Sequence, residues 1–187
     1  IEKGHPGIPM LRGAMVPASL GAQSLEVLGS DWNANLVRWQ LGGTQFTEGL
    51  QTPDYFAALD AQLALLDAAL PACAASGLRV VVDLHSLSEK QFASPAAQDR
   101  LVEAWRRIAT RYKDSPVVWA YDLANEPRED GWQPGVLLWR DLAEHVGKEI
   151  RRIDPVHTLI VEPAPWGNPD GFEGLFPIDV ENVVYSV

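Results

Sequence analysis

Apolar residues along the chain are concentrated in six short runs that are rich in β-branched and aromatic side chains. The runs are mostly continuous rather than alternating, which is typical of strands that are covered on both faces. We therefore predict six strands in a buried parallel sheet. The predicted strands are residues 10–16, 34–41, 78–86, 117–125, 157–164 and 182–187.

Amphipathic helices are predicted between these strands. Leu59, Leu63, Leu66 and Leu70 recur at helical spacing, and Gly77 is the expected stop. Two further helices have apolar stripes of their own: Leu101, Trp105, Ile108 and Tyr112 in a helix capped by Ser94, and Leu138, Leu142, Val146, Ile150 and Ile153 in the next.

The alternation of strand and helix indicates right-handed βαβ crossovers and an α/β fold. A doubly wound sheet usually carries a glycine-rich phosphate-binding turn after a strand, and the segment RGAMVPASLG lacks the required spacing. A barrel instead places its chemistry at the carboxyl ends of its strands. We expect a (β/α)8 TIM-barrel type of fold in a single domain, residues 1–187, because no low-complexity linker divides the chain.

Polar side chains occur at the carboxyl ends of the predicted strands. Arg38 lies near the end of the second strand, Asp83 and His85 end the third, and Glu162 ends the fifth, with Trp166 in the following loop. Each alone is compatible with a structural ion pair or a hydrogen bond in the core. Because the carboxyl ends of parallel strands meet at one rim, their joint arrangement indicates a functional site there.

The fourth predicted strand ends on Asn125, Glu126 and Pro127. Neighbouring residues of a regular strand point to opposite faces, so both polar side chains reach one cleft only if the strand breaks. Pro127 is expected to cause the break, because it lacks a ladder donor and favours an extended conformation for Glu126. We interpret this strand end as part of a functional site rather than as part of the packed core.

Composition narrows the choice of ligand. The formal charge of −10 argues against a nucleic-acid partner or an anionic membrane, since both need a basic face. No apolar run approaches the roughly 20 residues of a membrane span. The single Cys73 is expected to be a buried thiol, and the four histidines show no paired ligand spacing, so we expect no metal and no cofactor. Seven tryptophans favour stacking on a flat, uncharged ligand.

The segment YDLANEP closely resembles the fourth-strand motif of glycoside hydrolase family 5, the (β/α)8-barrel cellulases and their relatives. NLVRWQL and VVVDLHS resemble that family's second and third strands, and LIVEPAPWGNPDGFEGL with NVVYSV resembles the fifth and sixth. The resemblance covers essentially the whole chain. It implies a secreted, retaining endo-β-1,4-glucanase that hydrolyses a β-linked polysaccharide.

The resemblance also implies roles for individual residues. Glu126 would be the catalytic general acid/base, which protonates the glycosidic oxygen and then activates water. Asn125 would hold the sugar 2-hydroxyl, Arg38 would orient the nucleophilic carboxylate, and His85 would support the sugar or the acid network. Together with Trp166, these three residues would form the substrate-binding site.

A retaining glycosidase needs a second carboxylate about 5–5.5 Å from the first. The family places it on strand seven, whereas residues 1–187 match strands one to six, so the resemblance implies an incomplete barrel that lacks strands seven and eight. Glu162, at the end of the neighbouring strand, could substitute for it, but the family gives that position no such role.

An open six-stranded sheet has two unpaired edges and an uncovered inner face. We therefore expect the chain to form a homo-oligomer, most simply a symmetric dimer through the open side. An alternative function follows from the same argument: a non-catalytic carbohydrate-binding or self-assembling partial barrel. Turnover of a soluble β-glucan would distinguish the enzyme from the binding module.

Overall fold

The computed structural model describes residues 10–42, 52–85, 93–129, 133–174 and 177–187. Six parallel strands form one sheet in the order in which they occur along the chain, with helices between them. The strands are β1 (Gly13–Pro17), β2 (Leu36–Gly42), β3 (Arg79–His85), β4 (Val118–Asp122), β5 (Thr158–Val161) and β6 (Val183–Tyr185). The helices are α1 (Ala22–Ser30), α2 (Thr52–Ala75), α3 (Pro95–Tyr112), α4 (Trp139–Arg151) and a short 3₁₀ helix (Pro169–Glu173). The predicted α/β fold of barrel type is therefore confirmed.

The side chains of strand β2 alternate between the two faces of the sheet. Val37, Trp39 and Leu41 are completely buried on the face that the helices cover. Leu36 and Arg38 alternate with them and are half-buried on the inner face. Arg38 is thus the third of seven residues in this strand, and its predicted position near the strand end is wrong.

Strands β4 and β5 are shorter than predicted, because a tryptophan from a helix takes the carbonyl that would continue each ladder. The indole N–H of Trp105 in α3 donates to the carbonyl of Leu123, one residue after β4 (3.0 Å). The indole N–H of Trp139 in α4 donates to the carbonyl of Glu162, one residue after β5 (2.7 Å). Both strands therefore end several residues earlier than their apolar runs suggested.

Helix α2 supplies much of the core. Leu59, Leu63, Leu66 and Cys73 are buried as predicted, and Gly77 has a positive φ of 68° after the helix ends. Contrary to the expectation from sequence, its segment Asp54–Ala75 is long and apolar enough to cross a membrane by length and composition. Leu59, Leu63 and Leu66 lie in the same cluster as the strand residues, whereas Leu65 is exposed, so packing on the sheet explains part of the apolar character of this helix.

Helices α3 and α4 cover the neighbouring strands. The side chain of Ser94 accepts a hydrogen bond from the backbone N–H of Ala97 (3.2 Å), which confirms the predicted cap. Leu138 departs from prediction: it precedes the first turn of α4 as the N-cap residue and is exposed. The remaining stripe residues of the two helices are buried or partly buried: Leu101, Trp105, Ile108, Tyr112, Leu142, Val146, Ile150 and Ile153.

Candidate active site

The guanidinium of Arg38 is the centre of a polar cluster on the inner face of the sheet. Its Nε donates to Oδ2 of Asp122 (2.8 Å), and one terminal nitrogen lies 2.9 Å from Oδ2 of Asp83 and donates to Oδ1 of Asn125 (3.1 Å). The other terminal nitrogen donates to Oε1 of Glu162 (3.0 Å). One cation from β2 therefore joins groups at the ends of β3, β4 and β5.

A bulge in the sheet brings the two aspartates together. Val80 pairs with Val118, but Val81 pairs with Ala120, so β4 has one extra residue at this point. As a result Asp83 pairs with Asp122, its neighbour across the ladder. Without the extra residue Asp83 would pair with a tyrosine, and the second carboxylate would leave the inner face.

The electrostatics of the cluster are dominated by burial. Burial and the charge of Asp83 raise the pKa of Asp122 well above its usual range, against the opposing effect of Arg38. Burial also raises the pKa of Asp83 and that of Glu162. Burial alone would lower the pKa of Arg38, yet the surrounding carboxylates outweigh it and raise that pKa above its ordinary value. The site therefore stabilises the charged form of Arg38, whereas burial destabilises the charged forms of Asp83, Asp122 and Glu162.

His85 enters the cluster through Asp83. Its Nδ1 lies 2.8 Å from Oδ2 of Asp83, and the side-chain amide of Gln40 lies 3.3 Å from the ring. With the proton on Nδ1, the ring donates to the carboxylate and Nε2 can accept from the amide. The ring is thus oriented by two neighbours at the end of β3.

Glu126 has a backbone conformation that the sequence did not predict. Its φ is +45°, in the left-handed region, so the expectation of an extended conformation before Pro127 is wrong. Its backbone N–H donates to Oε2 of Glu162 (2.9 Å), a bond that stabilises this conformation. The strand has already ended at Asp122, so the break precedes Pro127, and the side chain of Glu126 is exposed at the rim.

Trp166 lies in the loop after β5, beside the segment that carries Glu126. Its backbone N–H donates to the carbonyl of Pro127 (2.9 Å), and its ring is half exposed. The guanidinium carbon of Arg128 lies 5.2 Å from the ring centroid. The loop therefore presents an aromatic surface, fixed at its backbone, next to the rim.

The sequence of this chain matches the family model described as Cellulase (glycosyl hydrolase family 5) over residues 5–187. The chain belongs to glycosyl hydrolase family 5. Among curated relatives, endoglucanase C of Acetivibrio thermocellus is 29% identical over 133 residues, which are 66% of this chain and 38% of that protein. A probable mannan endo-1,4-β-mannosidase of Aspergillus terreus is 33% identical over 72 residues, 38% of this chain and 18% of that protein.

Solved structures of family 5 proteins have the same fold. The β-glucanase SdGluc5_26A of Saccharophagus degradans is similar with a TM-score of 0.72 at 23% identity, over 94% of this chain and 55% of that one. The catalytic domain of Thermobifida fusca endoglucanase Cel5A is similar with a TM-score of 0.67 at 25% identity, over 94% and 57%. The chain thus spans little more than half the length of these structures, and less of the curated relatives.

The five predicted site residues of this family 5 chain are connected to one another, with Arg38 on the inner face and the other four at or beyond the strand ends. Arg38 donates directly to Asn125, and His85 is connected to Arg38 through Asp83. The backbone of Glu126 is connected to Arg38 through Glu162. Trp166 donates from its backbone to Pro127, the residue after Glu126. Sequence reasoning did not give Asp122 a role, because it stands within an apolar strand. The available signal was an acid at the end of three successive apolar strands, Asp83, Asp122 and Glu162, opposite a single arginine.

Proposed function

We propose that this chain forms the acid/base half of a retaining β-glycosidase that hydrolyses β-linked polysaccharides, with Glu126 as the general acid/base. The observation that carries the proposal is the geometry of the Asn125–Glu126 pair. Asn125 is held by Arg38, and Glu126 is fixed by a backbone hydrogen bond while its side chain is exposed at the rim. A general acid/base needs this combination of a fixed position and access to substrate.

Asn125 would bind the hydroxyl next to the bond that is cleaved. Its Oδ1 accepts from Arg38, so its side-chain NH₂ is the group that would donate to the sugar. A hydrogen bond to the sugar 2-hydroxyl strengthens as the transition state forms. His85, oriented by Asp83, and the exposed ring of Trp166 would complete the substrate contacts.

The retaining reaction also needs a nucleophilic carboxylate. Glu162 is poorly suited to this role, because Oε1 accepts from Arg38 and Oε2 accepts from the backbone of Glu126. A carboxylate that is held by Arg38 and orients the backbone of the proposed acid/base is better suited to positioning than to attack. We propose that Glu162 positions Glu126 and that another carboxylate of the whole protein attacks the sugar.

The substrate proposed is a neutral β-1,4-linked glucan. A chain with a formal charge of −10 does not favour polyanionic polymers, and an exposed tryptophan beside the rim suits stacking on a sugar ring. Relatives named endoglucanase support glucan, whereas the mannosidase relatives make mannan the competing substrate. A polymeric substrate of this kind supports secretion as the location.

The test is hydrolysis of soluble β-1,4-glucan and β-mannan by the whole protein and by residues 1–187. Glu126→Gln should lower kcat about 10²–10⁴-fold, the usual contribution of general acid/base catalysis. Glu26→Gln changes an exposed glutamate of α1 in the same way and should have no effect. Unchanged activity of Glu126→Gln, or inversion of the anomeric configuration, would contradict the proposal.

A second candidate function is carbohydrate binding without turnover, as a self-associating partial barrel. It is favoured for residues 1–187 by the engagement of both Glu162 oxygens and by the open sheet. Among the described strands β1 pairs with β2 alone and β6 with β5 alone. Met15 and Val184 in these edge strands are exposed. Binding of a glucan oligosaccharide without hydrolysis, by a dimer detected in sedimentation, would support it.

A further inference from the structure

Asp83 and Asp122 are the most deeply buried carboxyl groups of the site. Each directs Oδ2 to Arg38, and each has an Oδ1 with no hydrogen-bond partner in the described part of the chain. Their exposed fractions are 0% and 2%. A buried carboxylate normally has both oxygens satisfied, so two such atoms on residues that pair across the β3–β4 ladder need an explanation.

The charges around the pair do not balance if every carboxyl is ionised. Asp83, Asp122 and Glu162 surround one guanidinium, and the exposed Glu126 adds a further acid nearby. The other described neighbours are the uncharged amides of Asn125 and Gln40 and the ring of His85, whose Nδ1 lies 2.8 Å from Asp83. Two adjacent carboxylates in a low-dielectric site cannot readily both ionise.

We propose that Asp83 and Asp122 share one proton at neutral pH and together act as positioning residues that hold Arg38 in place. The proton is taken up from water on folding and occupies one of the two free Oδ1 atoms. The pair then carries one negative charge, and with Glu162 it leaves the cluster only one charge from neutrality. The burial that raises the pKa of both aspartates agrees with this.

Arg38 connects the pair to the proposed catalytic residues. From its position between the aspartates, Arg38 donates to Asn125 and to Glu162, and Glu162 accepts from the backbone of Glu126. A shift of the guanidinium would therefore move both residues of the proposed catalytic pair. This positioning role depends on the proposed function, whereas the shared proton does not.

The shared proton is tested by NMR titration of the side-chain carboxyl carbons in protein labelled at aspartate. We expect one aspartate signal to remain at the protonated position at neutral pH, and to disappear in both Asp83→Asn and Asp122→Asn, since the amide replaces the neutral acid. Asp67→Asn removes an exposed aspartate that is also paired with an arginine, Arg111, and should leave the signal unchanged. Two fully ionised carboxyls at neutral pH would overturn the proposal.

The positioning role is tested on an active preparation of the whole protein. Asp122→Ala removes the acceptor for Nε of Arg38 and should lower kcat about tenfold to a hundredfold with little change in KM, because small misplacements of reacting groups have effects of this size. Asp122→Asn keeps an acceptor and a neutral group and should restore most of the rate. Equal losses in the two variants, at equal thermal stability, would overturn the role. Loss of the NMR signal is independent of activity, so failure of the proposed function would be recognised separately.

Discussion

The backbone N–H of Glu126 donates a 2.9 Å hydrogen bond to Oε2 of Glu162, which connects the loop after β4 to the end of β5. The other oxygen of Glu162 accepts from Arg38. The left-handed conformation of Glu126 therefore depends on a carboxylate that is itself held by the buried cluster. The position of the proposed acid/base is set by neighbouring strands and not by its own loop alone.

Gly167→Ala should disturb this relationship without removing any charge. A Cβ at residue 167 would lie 2.9 Å from Oε2 of Glu162, closer than real Cβ atoms approach. We expect Glu162 to move, its bond to Glu126 to lengthen, and activity of the whole protein to fall by at least tenfold. Rates of glucan hydrolysis compared with wild type provide the measurement.

Gly77→Ala is the matched control for this substitution. Gly77 has a φ of 68°, nearly that of Gly167 at 65°, but a Cβ added at residue 77 would have nothing within 4 Å among the described residues. Both variants should lose about 1–2 kcal/mol of stability from the left-handed conformation. Only Gly167→Ala should lose activity, and equal activity in the two variants would contradict the role of Glu162.

Asp122→Asn should flatten the dependence of stability on pH. Because burial and Asp83 raise the pKa of Asp122, the folded state binds this proton more tightly than the unfolded chain, whose pKa is about 3.9. The contribution is fully present below about pH 4 and is lost as the pH rises through the raised pKa. Urea denaturation at a series of pH values should show a smaller decline for the variant than for wild type.

Asp67→Asn should change the pH dependence in the opposite direction. A hydrogen bond from Arg111 lowers the pKa of Asp67, so its contribution is present above the unfolded pKa and is lost as the pH falls. The variant should therefore lose less stability than wild type on acidification. Parallel curves for wild type and both variants would show that neither carboxyl is coupled to folding.

Much of the fold could be predicted from sequence because its signals are local. Continuous apolar runs identified all six strands, and the spacing of leucines such as Leu59 and Leu63 identified the helix faces. Ser94 was recognisable as a cap because its hydrogen bond spans only three residues. These features depend on residues that are close together in the sequence and not on contacts across the sheet.

The site was only partly predictable because its decisive features are not local. The carboxylate and amide partners of Arg38 are 45 to 124 residues away, and the pairing of Asp83 with Asp122 depends on a bulge that no sequence pattern predicted. The φ of Glu126 is set by Glu162, which overrides the extended preference before a proline. The residues at the rim could be named from the sequence, whereas their connections could not.

Tyr121→Phe should lower stability without affecting the site. The hydroxyl of Tyr121 donates to Oδ2 of the fully buried Asp154 (2.7 Å), which also lies 2.6 Å from Nδ1 of His157. Loss of a hydrogen bond to a charged group should cost about 1.5–3 kcal/mol. Tyr112→Phe, whose hydroxyl bonds the half-exposed Asp67, should cost less in the same urea titrations. A smaller loss for Tyr121→Phe would show that Asp154 is satisfied without it.

Trp139→Phe should test whether helix α4 stabilises the position of Glu162 at the end of β5. The indole N–H of Trp139 donates to the backbone carbonyl of Glu162 (2.7 Å) in the buried layer between α4 and β5. Phenylalanine keeps most of the bulk but leaves this carbonyl without its donor, and Trp39→Phe is the matched control. Trp39 is equally buried, but its indole nitrogen has no partner among the described residues. Because an unsatisfied buried group costs about 1–3 kcal/mol, Trp139→Phe should be less stable than Trp39→Phe by roughly that amount.

Trp139→Phe should also lower kcat, since the backbone of Glu162 carries the carboxylate that holds Glu126. Equal stability and equal rates for the two variants would show that the carbonyl finds another donor and that the strand end is held by the sheet alone.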